Sequence, residues 1–135
     1  MSSQIFINLP VANLSKSVAL YEALGFSVNP QFSDESGKCM VWDESIFVML
    51  LSHDKFNQFI SKPIADTKSA VASLLSISVA SIDAVNETME KGLQLGGIEP
   101  NPARVYPFMV QRTMEDFDGH TWEFFHMDMS KFPTE

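Results

Sequence analysis

Along residues 4–11 the apolar residues Ile5, Ile7, Leu9 and Val11 alternate with Gln4, Phe6, Asn8 and Pro10, a period of two that predicts a strand with one buried face. Phe6 is the apolar exception on the other face. The period then changes: Asn13 offers an N-cap, Val18, Leu20, Tyr21 and Leu24 recur at helical spacing, and Gly25 supplies the stop. Residues 26–32, 38–43 and 45–52 predict three further strands, separated by the turn signals Asp34-Glu35-Ser36-Gly37 and Asp43-Glu44. Residues 46–51 are apolar on both faces, as expected for a strand covered on both sides. The first half therefore predicts βαβββ.

Periodicity weakens over residues 53–69, where a short helix around 56–60, then Lys62-Pro63 and a polar loop, predict a linker. Residues 74–80 predict a strand, and Ser81 opens a helix in which Val85, Met89 and Leu93 recur until Gly96-Gly97 ends it. Residues 98–106 form a weak strand broken by Pro100 and Pro102, and 108–115 and 120–127 form two stronger ones. Between those two lies Asp118-Gly119, a hairpin turn in which Gly119 takes positive φ and Asp118 caps through its own side chain. The junction Pro10-Val11-Ala12-Asn13-Leu14 recurs as Ser78-Val79-Ala80-Ser81-Ile82 half a chain later. The expected fold is α+β: two tandem βαβββ modules in one domain, forming a curved mixed sheet around a concave pocket. Module one spans about residues 1–52, the linker about 53–70, module two about 71–128 and a surface tail 129–135.

With 135 residues the chain can bury about two thirds of its unfolded surface without disulfides or structural zinc. Its one cysteine, Cys39, is expected as a half-buried strand thiol, which suits a reducing cytoplasm. No apolar run approaches a membrane span, and the first residues lack the basic start of a signal peptide, so a soluble, unexported protein is expected. A net charge of −8 with nine scattered Lys and Arg residues argues against nucleic acid, because no basic stripe could displace counterions. Eight Met and eleven Phe suit an apolar pocket and an ordinary core alike.

Candidate chemistry centres on Glu123, a lone carboxylate in the apolar strand Trp122-Glu123-Phe124-Phe125. Burying a carboxylate costs several kcal/mol unless it is paired. Alternation places Glu123 opposite Trp122 and Phe124, so it faces either solvent or the concavity, and Arg112 on the preceding strand is its expected partner. His53 is expected at the rim, His120 beside the turn glycine as a cap or solvent contact, and His126 on the opposite face from Glu123. No nucleophilic triad, phosphate-cradling loop or CxxC motif is present.

Three stretches carry a family resemblance. They are the run Asn8-Leu9-Pro10-Val11-Ala12-Asn13-Leu14-Ser15-Lys16-Ser17 with Tyr21-Glu22-Ala23-Leu24-Gly25-Phe26, the repeated junction at Val79, and Glu115-Asp116-Phe117-Asp118-Gly119-His120-Thr121-Trp122-Glu123. Together they resemble the vicinal oxygen chelate superfamily of glyoxalase I, bleomycin-resistance and extradiol dioxygenase proteins, and within it small bacterial predicted lactoylglutathione lyases. The resemblance spans nearly the whole chain. It implies paired βαβββ modules and, in metal-dependent members, a divalent ion held by the first and last strands of each module for enediolate or oxygen chemistry. Those positions correspond here to Phe6, Met49, Leu74 and Glu123, of which only Glu123 is a good ligand for such ions.

The resemblance thus implies a pocket for a small organic molecule with no metal and no cofactor. Phe6, Met49, Leu74 and Phe108 would supply apolar walls, and Arg112 and Glu123 polar anchors. One alternative is a metal-dependent lyase or dioxygenase with a site rebuilt from His53, His120 or His126. Another is a dimeric interaction protein whose pocket is filled by its own side chains. A cytoplasmic homodimer is expected, with a small organic ligand and neither nucleic acid nor membrane as partner.

Overall fold

The computed structural model describes residues 3–132. Strand β1 (Ile5–Val11) leads into helix α1 (Leu14–Leu24), where Asn13 accepts from the Lys16 amide. Gly25, with φ +119°, closes the helix by donating to the Glu22 and Tyr21 carbonyls, a conformation that penalises any Cβ. Strand β2 (Ser27–Asn29) is shorter than the predicted 26–32. Asn29 instead caps a 3-10 turn over Pro30–Phe32, and Pro30 has no N–H for a ladder. Strands β3 (Gly37–Val41) and β4 (Ile46–Ser52) complete module one. The short helix α2 (His53–Asn57) starts three residues before its predicted position because Ser52 accepts from the Lys55 amide as its cap.

Module two runs through β5 (Leu74–Ser78), α3 (Ile82–Gln94), β6 (Arg104–Tyr106), β7 (Met109–Glu115) and β8 (Thr121–Met127), with Ser81 capping α3 at the Ala84 amide. The weak strand predicted over 98–106 shrinks to β6 and one bridge between Ile98 and Glu115, the prolines between them lacking donors. A 3-10 turn, Met129–Lys131, opens the tail, whose last residues, 133–135, lie outside the described residues.

Each module builds a four-stranded sheet, ordered β1-β4-β3-β2 and β5-β8-β7-β6. In both, the first strand runs parallel to the last and the other pairs are antiparallel. The registers correspond, because Asn8 pairs with Met49 as Ser76 pairs with Glu123.

One core joins the modules. Leu9, Val11, Val48 and Leu50 from sheet one meet Ile77, Trp122 and Phe124 from sheet two, with Leu20, Tyr21, Leu24 and Met89 contributed by the helices. Trp122 packs edge-on against Tyr21 and Phe26 at centroid distances of 5.9 and 5.8 Å, and Trp42 lies 6.3 Å from Phe124. These large side chains leave water only if the helix-covered faces turn towards one another. The helix-free face of each sheet carries none of these core residues and leaves Phe6 and Leu74 exposed. The two tandem βαβββ modules predicted from the sequence are present as two open four-stranded mixed sheets. Cys39 is fully buried, not half-buried, and burial pushes its thiol pKa up.

Candidate functional site

The β7–β8 hairpin positions most of the candidate residues. Its turn is organised by Asp116, not by Asp118 as the sequence suggested. Asp116 Oδ1 accepts from the Asp118 and His120 amides at 3.0 and 2.9 Å, and Gly119 sits at φ +85°. Asp118 Oδ1 instead reaches module one and accepts from the Ala12 amide at 2.9 Å. The other oxygen of Asp116 accepts from Tyr21 Oη at 2.6 Å, and Tyr21 Oη accepts from Trp122 Nε1 at 2.9 Å. Burial pushes the Asp116 pKa up, and burial together with the Asp116 charge raises that of Tyr21 well above the usual phenol range. This buried chain of bonds ties α1 to the hairpin. The Asp-x-Asp-Gly spacing carried a signal for it, since an Asx residue bonds amides two to four positions ahead.

His120 was expected as a cap or solvent contact, yet it is only 7% exposed, and its Nε2 lies 2.7 Å from the Pro10 carbonyl. The hairpin folds this ring back onto the end of β1. His126, on the face opposite Glu123 as expected, places Nδ1 3.0 Å from the Val79 carbonyl. His53 is exposed at the start of α2. These imidazoles do not converge on one site.

Glu123 faces outward on β8, where Ser76 Oγ donates to its Oε1 at 2.6 Å. Arg112 is not its partner. The register sets Thr113 opposite Glu123 and Arg112 opposite Phe124, so the arginine emerges on the helix-covered side. There, Arg112 Nε and Nη2 donate to the two oxygens of Glu99 at 2.9 and 2.8 Å, Nη1 donates to Asn86 and Nη2 also to Glu90. The bidentate bond from Arg112 holds the Glu99 carboxyl pKa below its usual range.

On the free face of sheet one, Phe6 stacks on Phe47 with ring centroids 4.5 Å apart and planes 8° off parallel. Phe6 is 46% exposed, and Met49 lies on the same face one row away. Leu74, the module-two counterpart of Phe6, is 56% exposed on the free face of sheet two. Phe108 belongs to neither face: it packs on Tyr106 and Phe132 and lines a separate cavity of about 250 Å³ with His126. Within one chain, then, Phe6 and Met49 share one face and Leu74 and Glu123 another, while Phe108 and Arg112 stand apart.

The donor chemistry does not suit a divalent metal. Phe6 and Leu74 have no donor atom, Met49 offers a soft thioether, and only Glu123 carries a hard oxygen. Among the described residues no three His, Cys, Asp or Glu side chains form a cluster able to hold an ion. Nor is any described helix long and apolar enough to cross a membrane. A larger cavity, unforeseen from the sequence, lies under the linker beside His120.

No protein-family model matches the chain, and no curated protein matches it. Solved structures do. A hypothetical protein from S. aureus is 22% identical, with a TM-score of 0.78 over 93% of this chain and 94% of that one. A glyoxalase-related enzyme from Fulvimarina pelagi is 21% identical, with a TM-score of 0.76 over 93% and 88%. A glyoxalase/bleomycin resistance protein/dioxygenase family enzyme from Burkholderia phytofirmans PsJN is 14% identical, with a TM-score of 0.75 over 93% and 99%. At such identities the likeness is one of fold. The paired βαβββ architecture of this chain is the fold of these solved glyoxalase/bleomycin-resistance/dioxygenase proteins.

Proposed function

We propose that the protein binds a small apolar or aromatic molecule, and does so as a homodimer in which the free face of sheet one from one copy covers the free face of sheet two from the other. The observation that carries this reading is the stacked, half-exposed Phe6–Phe47 pair on an otherwise uncovered sheet face. Exposed aromatic surface of this kind gains free energy by burial against a partner or a ligand. The opposite face, with Leu74 exposed and Glu123 held by Ser76, supplies an apolar contact and one polar anchor. Together the faces unite Phe6, Met49, Leu74 and Glu123 in a pocket without requiring a metal. No reaction is assigned to it. The cytoplasm is the proposed location, in keeping with the unpaired Cys39 thiol.

A rebuilt metal site lacks support, because His53, His120 and His126 stand apart. A pocket filled by its own side chains would leave Phe6 and Leu74 covered, and they are 46% and 56% exposed. Light scattering and titration with 1-anilinonaphthalene-8-sulfonate on the same samples test the proposal. The expected result is a dimeric mass and saturable dye binding, both lost in Phe6→Lys. A monomeric mass throughout, or dye binding untouched by Phe6→Lys, would rule it out.

A further inference from the structure

The segment between α2 and β5 arches over the end of β1 and the β7–β8 turn, and beneath it lies a cavity of about 490 Å³. Its walls are mainly apolar, with Leu9 from β1, Phe56 from α2, and Ile60 and Ile64 from the arch. The volume falls within the range of small-molecule sites. The arch is fastened, because Thr67 Oγ1 donates to the Asp118 carbonyl at 2.5 Å and a Cβ at Gly119 would run into the Thr67 backbone. The cavity is therefore preformed, which spares a ligand the cost of ordering its walls.

His120 gives this cavity its chemistry. The Pro10 carbonyl can only accept, so the short contact requires Nε2 to carry the proton, which leaves Nδ1 of the neutral ring as an acceptor. Among the described residues no protein donor bonds Nδ1, and the one buried polar side-chain atom without a partner is Ser17 Oγ, so Nδ1 keeps open contact. The ring is almost buried and lines the cavity. The walls are mainly apolar but also carry Ser61, Lys62 and Ser73, so the His120 acceptor calls for a ligand that presents a donor on an apolar frame. Phe56 and the neighbouring Phe59 favour an aromatic frame, and an aromatic hydroxyl, with a pKa near ~10, is a stronger donor than an aliphatic one.

We propose that the linker cavity is a binding site for a small phenolic molecule whose hydroxyl donates to His120 Nδ1 while its ring lies among Leu9, Phe56, Ile60 and Ile64. The site shares no residue with the sheet-face pocket and stands whether or not the chain dimerises.

The test is a calorimetric titration of the intact protein with 2-naphthol and with 2-methoxynaphthalene, which keeps the frame but has no donor. Nitrogen and amide NMR on the same samples locates the site. The expected result is one 2-naphthol per chain, bound at least about tenfold more tightly than the ether, with shifts at His120 Nδ1 and at amides 56–67. Filling the cavity with Ile64→Trp, or with Ala65→Phe if the first variant does not fold, should abolish these shifts. Equal affinity for the two compounds, shifts centred on the free faces of β1, β4 and β8, undiminished binding in a folded filled variant, or no saturation up to the solubility of naphthol would each overturn the proposal.

Discussion

In module one the free sheet face carries Phe6 stacked on Phe47, with Met49 in the next row. At the equivalent rows of module two, Leu74 lies beside Thr121, and Ser76 donates to Glu123. Strand order, crossover and register agree between the modules while the chemistry of these faces has moved in opposite directions. The covered faces have not diverged in this way, since both feed aliphatic and aromatic groups into one core. The contrast places the constraint on the covered side: a change there alters packing shared by both modules, whereas the outer rows can exchange a phenylalanine for a leucine, or a methionine for a glutamate, without cost to the fold.

Trp122→Ala should have the largest effect on the shared core. Trp122 is 1% exposed and touches Tyr21, Phe26 and Phe124, so truncation leaves a cavity across the module boundary and should cost about 4 kcal/mol. Urea unfolding should show one transition at a lower midpoint for the whole chain. Two separated transitions would mean that the modules fold independently and that the covered faces are not one core.

Arg112→Ala should cost roughly 2–3 kcal/mol, because the side chain is 13% exposed and its loss leaves Glu99 without its bidentate donor. A double-mutant cycle with Glu99→Gln should show coupling, and one with Glu123→Gln none. The pH dependence has a definite sign. The folded pKa of Glu99 is lowered, so its contribution is present above the pKa of the unfolded chain and is lost as pH falls through the folded value. Asp116 acts in the opposite sense: its folded pKa is raised, so its contribution is present at low pH and lost as pH rises through the folded value. Stability measured across the acid range in Glu99→Gln and Asp116→Asn should separate the two slopes.

Tyr21→Phe should cost about 2 kcal/mol, since it removes one hydroxyl and strands two buried groups, Trp122 Nε1 and one oxygen of Asp116. The measurement is the urea midpoint at unchanged slope. A neutral effect would show that the chain from Trp122 to Asp116 is not what fastens α1 to the hairpin.

The elements written in local chemistry were legible in the sequence. Asn13, Gly25 and Ser81 mark helix ends because a cap depends on neighbours three or four residues away, and the repeated junction foretold the second module. Features that depend on distant partners were not. A turn centred on Asp118 sets Thr113 opposite Glu123, and the one-residue offset that turns Arg112 to the other face follows from that register, yet Glu99 as its partner arises only once the chain from α3 returns to β7. Phe6, Met49, Leu74 and Glu123 were matched by position, and the registers of the two modules agree with that matching. The contacts among Tyr21, Phe26, Trp42, Trp122 and Phe124 that join the two covered faces into one core are long-range, and no local pattern encodes them.

The smallest expected effect is also the one that tests the contrast most directly. Glu123→Gln should change stability by less than about 0.5 kcal/mol, because the carboxylate lies on an uncovered face and the amide oxygen of glutamine can still accept from Ser76 Oγ. The same change should alter binding of an anionic dye at the sheet faces, where removing a negative charge beside the site lowers repulsion. A stability loss above about 1 kcal/mol in the isolated chain would mean that Glu123 is held by groups on its own module as firmly as Arg112 is. A loss that appears only at concentrations where the protein is dimeric would instead place the carboxylate against the second copy, and the polar character of sheet two would then belong to an interface.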